Sequence, residues 1–195
     1  MIITFSGAPG SGKSTIAEKL ANDLNLTRYY MGGLRREAAK KRGLSLEEYN
    51  KLGEEDPKTD TEVDEYQKEL GKTQDNFIIE GRTSWYFIPK SLKIYLDVSL
   101  DEGARRVFLS LKAKNEKNER DERNEGKNLE SLEDVKNSIV KRIKSDTKRY
   151  KKYYNIDVND VSHYDYYLDT TNFNQKEVYS QVFEFVKKEL DKAKK

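Results

Sequence analysis

The chain has no cysteine, a single histidine (His163) and only three prolines in 195 residues. Without cysteine there are no disulfides, no thiolate nucleophile and no thiolate zinc site. One histidine argues against a multi-histidine metal centre and against a Ser-His-Asp triad. No apolar run approaches the roughly 18 residues that a membrane span needs. The opening MIITF has neither the basic segment nor the cleavage site of a signal peptide, so a cytoplasmic location with no membrane partner is expected. Charge of one sign is also missing, with 37 Lys+Arg against 35 Asp+Glu and a net charge of +2. Neutralising a nucleic-acid backbone takes a basic excess, so nucleic acid is not an expected partner. What the chain does have is balanced charge, 37% of residues, and 13 tyrosines, whose rings bury while their hydroxyls stay wet. The length fits one domain spanning 1–195.

Strand-like runs alternate with helix-like ones. Ile2 to Phe5, Arg28 to Met31, Phe77 to Ile79, Leu92 to Val98 and Tyr164 to Leu168 are β-branched or aromatic and short. Gly32-Gly33 is expected to break the second of these. Between them, Ile16, Leu20 and Leu24 recur at helical spacing, as do Val135, Ile139 and Ile143. Ser45-Leu46-Glu47-Glu48 resembles a capping box. Further helices are expected over 59–72, from Asp101 to Ala113, and from Gln175 to Leu190. Lys114 to Asn128 holds no large apolar residue. The alternation predicts an α/β domain with a mainly parallel sheet.

The most specific motif is Gly7-Ala8-Pro9-Gly10-Ser11-Gly12-Lys13-Ser14, followed by Thr15. It fits G-x-x-x-x-G-K-[ST] between a predicted strand and a predicted helix, the setting of a phosphate-binding loop. Glycines let successive backbone N–H groups converge on phosphate oxygens, and the helix N-terminus adds partial positive charge. Lys13 should reach the β- and γ-phosphates of a nucleoside triphosphate, and the Ser14 hydroxyl should ligate Mg²⁺.

Three other clusters suit a second, phosphorylated ligand. Gly32-Gly33-Leu34-Arg35-Arg36-Glu37 puts arginines near backbone N–H groups. Ile79-Glu80-Gly81-Arg82 ends a strand, and ligands of open α/β sheets bind at the carboxyl ends of strands. Glu80 there could hold Mg²⁺-bound water and Arg82 a phosphate. Arg142, Asp146 and Arg149 share one helix face at i, i+4 and i+7. Asp60, Asp64 and Gln67 repeat that spacing on a polar helix and could read a base. Tyr150, Tyr153, Tyr154 and His163 are assigned to packing or surface.

In the order of these parts the chain resembles the nucleoside monophosphate kinases, most closely those of the archaeal cytidylate kinase type. The stretches that carry the likeness are the loop motif, Gly32 to Glu48, the Asp-Pro segment of Glu54 to Asp64, the Glu80-Gly81-Arg82 strand end, Leu92 to Leu96, and Arg142 to Asp157 (RIKSDTKRYKKYYNID). The resemblance implies a P-loop NTPase fold with a parallel five-stranded sheet, a helical monophosphate-binding insertion over 31–74 and a lid over 110–128. It implies ATP with Mg²⁺ as donor and CMP or dCMP as acceptor; the chain is expected to be a monomer. By position, Arg36, Gly81 and Arg82 would hold the acceptor phosphate, and Arg142 and Arg149 would lie around the transferred phosphoryl. Two alternatives remain open from the residues alone: a kinase of the same fold for AMP, UMP or a small metabolite, and a P-loop ATPase switch binding a protein or RNA. The chain departs from the family pattern at Gly33, where Asp is usual, at Ile143, where Glu is usual, and at Ser110 and Leu111, where the basic start of the lid is expected. Arg120 or Arg123 in the long charged segment that follows could supply the missing cation.

If the loop motif cradles a triphosphate, Lys13→Ala should lower phosphoryl transfer by about two orders of magnitude or more while leaving the fold intact. Near-normal turnover in that variant, with an unchanged circular dichroism spectrum, would contradict the kinase reading.

Overall fold

The computed structural model describes residues 1–116 and 129–193. Five strands form one wholly parallel sheet: β1 (Ile3–Gly7), β2 (Thr27–Tyr30), β3 (Phe77–Glu80), β4 (Leu92–Asp97) and β5 (Tyr166–Asp169), in the order β2-β3-β1-β4-β5. The connection after β1 passes over β3 to the edge strand β2, whereas the connection after β3 passes over β1 in the other direction, to β4. The crevice between the carboxyl ends of β1 and β3 is therefore the topological switch point, where ligands of open α/β sheets bind.

The helices are α1 (Lys13–Leu24), α2 (Met31–Lys41), α3 (Leu46–Gly53), α4 (Lys58–Thr73), the single turn α5 (Ser84–Phe87), α6 (Leu100–Glu116), α7 (Leu132–Tyr154) and α8 (Gln175–Ala193). Period-2 alternation sorts β3 between two cores. Ile78 joins Ile3, Phe5, Ile94 and Leu96 under α1 and α8, while Phe77 and Ile79 face Met31, Leu70 and Ile88 on the other side. The α1 stripe of Ile16, Ala17, Leu20 and Ala21 is buried in the first core. A third cluster, with Val107, Leu111, Val135 and Ile139, zips α6 to α7. Trp85 stacks on His163 with ring centroids 4.3 Å apart, so the lone histidine is a packing residue.

Ser45 and Glu48 form the expected capping box at the start of α3, and Ser131 with Asp134 forms a second one at α7. β2 ends at Tyr30, just ahead of Gly32-Gly33. Met31, patterned as strand, starts α2, and both glycines lie in its first turn. The Tyr30 ring covers that turn, and a Cβ on either glycine would lie 2.9 Å from it. Of the segment 110–128, Ser110 to Glu116 simply continues α6. Arg120 and Arg123 lie outside the described residues.

The phosphate-binding loop rests on bare backbone. Gly10 has φ +82°, and a Cβ there would come within 2.3 Å of the Gly103 carbonyl oxygen. A Cβ on Gly103 would in turn meet the Pro9 carbonyl at 2.6 Å. In the middle of an exposed helix, Gly→Ala would gain about 1 kcal/mol of helix propensity. Here the forced separation should dominate, so Gly103→Ala should lower stability by about 1–3 kcal/mol. Urea unfolding measures this; an unchanged or raised midpoint would show that loop and helix do not touch in this way.

Candidate functional site

A cleft of about 1300 Å³ opens over the switch point. One end is the loop Pro9–Thr15. Its floor is Glu80 to Thr83, and its walls come from α2, α4, α6, α7 and the turn after β5. The sequence candidates Lys13, Ser14, Arg36, Asp64, Gln67, Glu80, Gly81, Arg82 and Arg142 all line it.

Four cations converge there. The Lys13 ammonium donates to the Ala8 carbonyl at 3.1 Å. Although the residue as a whole is only half-buried, loss of hydration is the largest influence on its charge. Repulsion from Arg82, Arg142 and Arg36 adds to it, against attraction from Glu80, and the pKa falls to about 7. Arg36 donates to the Tyr30 hydroxyl at 2.6 Å. Arg82 is ion-paired with Asp146, and its backbone carbonyl is held by the Trp85 indole at 3.0 Å. A site that crowds cations until one is driven toward neutrality matches a polyanion.

The turn carrying Arg82 is fixed tightly. The Gly81 amide donates to the Phe5 carbonyl at 3.0 Å, and its own carbonyl accepts from the Ser6 hydroxyl at 2.8 Å. A Cβ on Gly81 would lie 2.2 Å from the Ser84 hydroxyl, so only glycine lets the strand end pack against α5. Glu80 is 1% exposed, and Arg28 binds one of its carboxylate oxygens. The other oxygen is buried with no hydrogen-bond partner. With the Ser14 hydroxyl in the same cleft, Glu80 could take a proton of a metal-bound water, so the donor set fits a divalent ion. Among the described residues no group of three or more His, Cys, Asp and Glu is arranged for a metal. Such an ion would take most of its ligands from phosphate and water.

Arg149 is placed differently from what the resemblance implies. It is fully buried and does not line the cleft. It pairs with Asp60 and Asp146, while Arg35 also binds Asp60. The chain Arg35–Asp60–Arg149–Asp146–Arg82 thus runs behind the wall and surfaces at Arg82. Asp60 is shared by Arg35 and Arg149 through one carboxylate oxygen, so its charge is already paired within this chain. Gln67 is equally occupied, donating to Asp64 and Thr83 at 3.3 Å each and accepting from Ser84 at 2.6 Å. Tyr154, assigned from sequence to packing, donates its hydroxyl to Asp64.

Sequence reasoning passed over Arg106. Arg106 binds Glu102 and gathers the carbonyls of Thr170, Thr171 and Phe173, fixing the turn after β5 that walls the far end of the cleft. The position of that turn at the carboxyl end of β5 was the available signal. Glu102 is held down at about 2 by hydrogen bonds from Arg105 and Arg106. Among the described residues no helix is long and apolar enough to cross a membrane.

Comparison with known proteins adds three findings. The profile of the cytidylate kinase-like family matches residues 2–172. A cytidylate kinase of Methanocella arvoryzae is 35% identical over 195 residues, covering 100% of this chain and 99% of the relative, and one of Methanopyrus kandleri is 36% identical, covering 92% and 90%. Among solved structures, shikimate kinase from Bacteroides thetaiotaomicron superposes with a TM-score of 0.61 at 13% identity, covering 98% of each chain. That likeness shows the P-loop kinase fold.

The low Lys13 pKa makes binding of a triphosphate proton-linked. A bound polyanion restores the ammonium, so above about pH 7 binding takes up a proton and affinity falls as pH rises toward the ordinary lysine range. At about pH 8, where the triphosphate is itself fully ionised, calorimetry in buffers of different ionisation heat should show uptake approaching about one proton per chain. Heats that do not depend on the buffer would contradict the crowded-cation picture.

Proposed function

The chain belongs to the cytidylate kinase-like family, and from that premise we propose that it transfers the γ-phosphoryl of ATP to CMP or dCMP, giving ADP and CDP or dCDP. The observation that carries this reading is the convergence of Lys13, Arg36, Arg82 and Arg142 in one cleft, in a chain similar over its whole length to cytidylate kinases.

The triphosphate lies along Gly7 to Thr15, under backbone N–H groups and the N-terminus of α1. Its base occupies the far end, beside Arg106 and the turn after β5. Ser14 and, through water, Glu80 hold Mg²⁺, which screens the phosphate charge when bound. The acceptor phosphate is taken by Arg36 and Arg82 over the Gly81 backbone, with its base toward Asp64 and Gln67. Two anions must approach each other, and the cations lower that repulsion most where charge builds up between them. The acceptor's attacking oxygen is already anionic near neutrality, so no general base is needed. Arg142 faces the transferred phosphoryl, and Arg149 acts from behind through Asp146. The segment 110–128 closes over the substrates and excludes water as a competing nucleophile, with Arg120 or Arg123 supplying a cation at closure. A cytoplasmic monomer working in pyrimidine nucleotide metabolism completes the reading.

A coupled assay of ATP consumption, with each nucleoside monophosphate offered in turn, tests it directly. CMP or dCMP should give the fastest turnover. Preference for AMP or UMP, or ATP consumption independent of any acceptor, would contradict the proposal. Arg36→Ala should weaken CMP binding by about 1.5–3 kcal/mol, roughly ten- to hundredfold, with little change for ATP. Arg82→Ala should do the same, with an added loss of stability because one buried oxygen of Asp146 loses its cation and only the Arg149 pairing remains. Unchanged CMP affinity in both variants, measured by calorimetry, would reject this acceptor site.

A further inference from the structure

Asp64 is the one carboxylate at the acceptor end of the cleft that is not engaged by a cation among the described residues. It is 5% exposed and lines the cleft wall. One of its oxygens accepts from the Tyr154 hydroxyl, and the other accepts from the Gln67 amide at 3.3 Å. Each oxygen keeps a further lone pair. Gln67 is itself locked. Its amide nitrogen must face the carboxylate, because the reversed amide would set oxygen against oxygen, and Ser84 and Thr83 satisfy the remaining polar positions. Gln67 therefore has no N–H left over for a ligand, and Asp64 presents acceptors only.

Resting on the cytidylate reading above, we propose that Asp64, oriented by Tyr154 and Gln67, is the element that admits a 4-aminopyrimidine acceptor and refuses its 4-oxo counterpart. Cytosine offers an exocyclic amine at position 4, and the 4-oxo pyrimidines, uracil and thymine, offer an oxygen there. The amine donates to the carboxylate. The oxygen would face a second acceptor in a buried setting, where neither can recover its lost hydration. Tyr154 and Gln67 are positioning residues: both act on the base only through Asp64.

Discrimination then depends on the carboxylate remaining ionised. The charged and titratable groups facing it are Arg35 from α2, Asp60 and Lys68 from α4, and Tyr154 from α7. Burial raises its pKa to about 6, with Asp60 adding to the rise and the Tyr154 hydrogen bond, Arg35 and Lys68 opposing it. Above that pH the group accepts only. Below it the carboxyl carries a proton that it can donate to a 4-oxo group, so selectivity should relax on the acid side.

The test is kcat/KM for CMP and for UMP, measured in the same buffer for the full chain and for Asp64→Asn and Tyr154→Phe. An asparagine amide can turn either its oxygen or its NH₂ to the base, so D64N should cut the CMP:UMP ratio by about tenfold or more, chiefly through faster use of UMP. Y154F should raise KM for CMP more than it lowers kcat, and should narrow the ratio by less. In the unsubstituted protein the ratio should fall as pH drops through about 6. A D64N variant that still phosphorylates CMP with an undiminished ratio overturns this inference and leaves the proposed function standing. If D64N fails to fold, a Y154F ratio and a pH profile that are both unchanged overturn it equally. A protein that uses no pyrimidine monophosphate at all overturns the proposed function, and this inference with it.

Discussion

A buried alternation of charge organises the acceptor half of the molecule. Arg35 on α2, Asp60 on α4, Arg149 and Asp146 on α7, and Arg82 after β3 form one continuous ion chain. Buried pairs of this kind add little net stability against an apolar core, but removing one member strands the others at a cost of several kcal/mol. The chain therefore works chiefly as a positioning device. It locks three helices of different sequence origin to the turn that carries Arg82, and its three guanidiniums outnumber its two carboxylates. The excess positive charge emerges at the cleft rather than dispersing into solvent. Around it the contacts from α7 to α3, such as Ser145 to the Asn50 carbonyl and Tyr153 to the Gly53 carbonyl, keep the insertion against the core.

From that constraint follows the electrostatics of the site. Arg82 stands beside Arg36, Arg142 and Lys13, and the crowding weakens the hold of Lys13 on its proton. The protein has thus already met the cost of assembling like charges in a poorly hydrated cleft. Two polyphosphate anions brought into it find fixed dipoles and cations that need no reorganisation. The P-loop shares this rigidity, because Gly10 sits on Gly103 with no side chain between them to yield. The carboxylates kept out of the ion chain, Glu80 and Asp64, are left with unspent acceptor capacity in the cleft.

Much of this was legible in the sequence wherever a signal is local. The loop motif, the alternation of strands and helices, the stripe of α1 and the capping box at Ser45 each depend on residues within a few positions of one another. The stripe of α7, Val135, Ile139 and Ile143, could be read in the same way. Long-range pairing was not legible. Asp60 and Arg149 are 89 positions apart, and Asp64 and Tyr154 are 90. Helical spacing put Asp60, Asp64 and Gln67 on one face without showing that the first is spent on arginines and the last on hydroxyls. The same limit applies to Arg149, whose face on α7 is shared with Arg142 but whose side chain turns inward to carboxylates. At Gly32-Gly33 the pair marked the end of β2 but not that both glycines lie inside the first turn of α2, under the Tyr30 ring.

The central claim is that one cleft holds two nucleotides with their phosphates drawn together by the same cations. An adenosine and a cytidine joined by a pentaphosphate chain spans both positions, and its binding tests the claim most directly. The account predicts one such molecule per chain, bound far more tightly than either nucleotide alone and displaced competitively by both ATP and CMP. An affinity no better than that of ATP, with displacement by ATP but not by CMP, would contradict it.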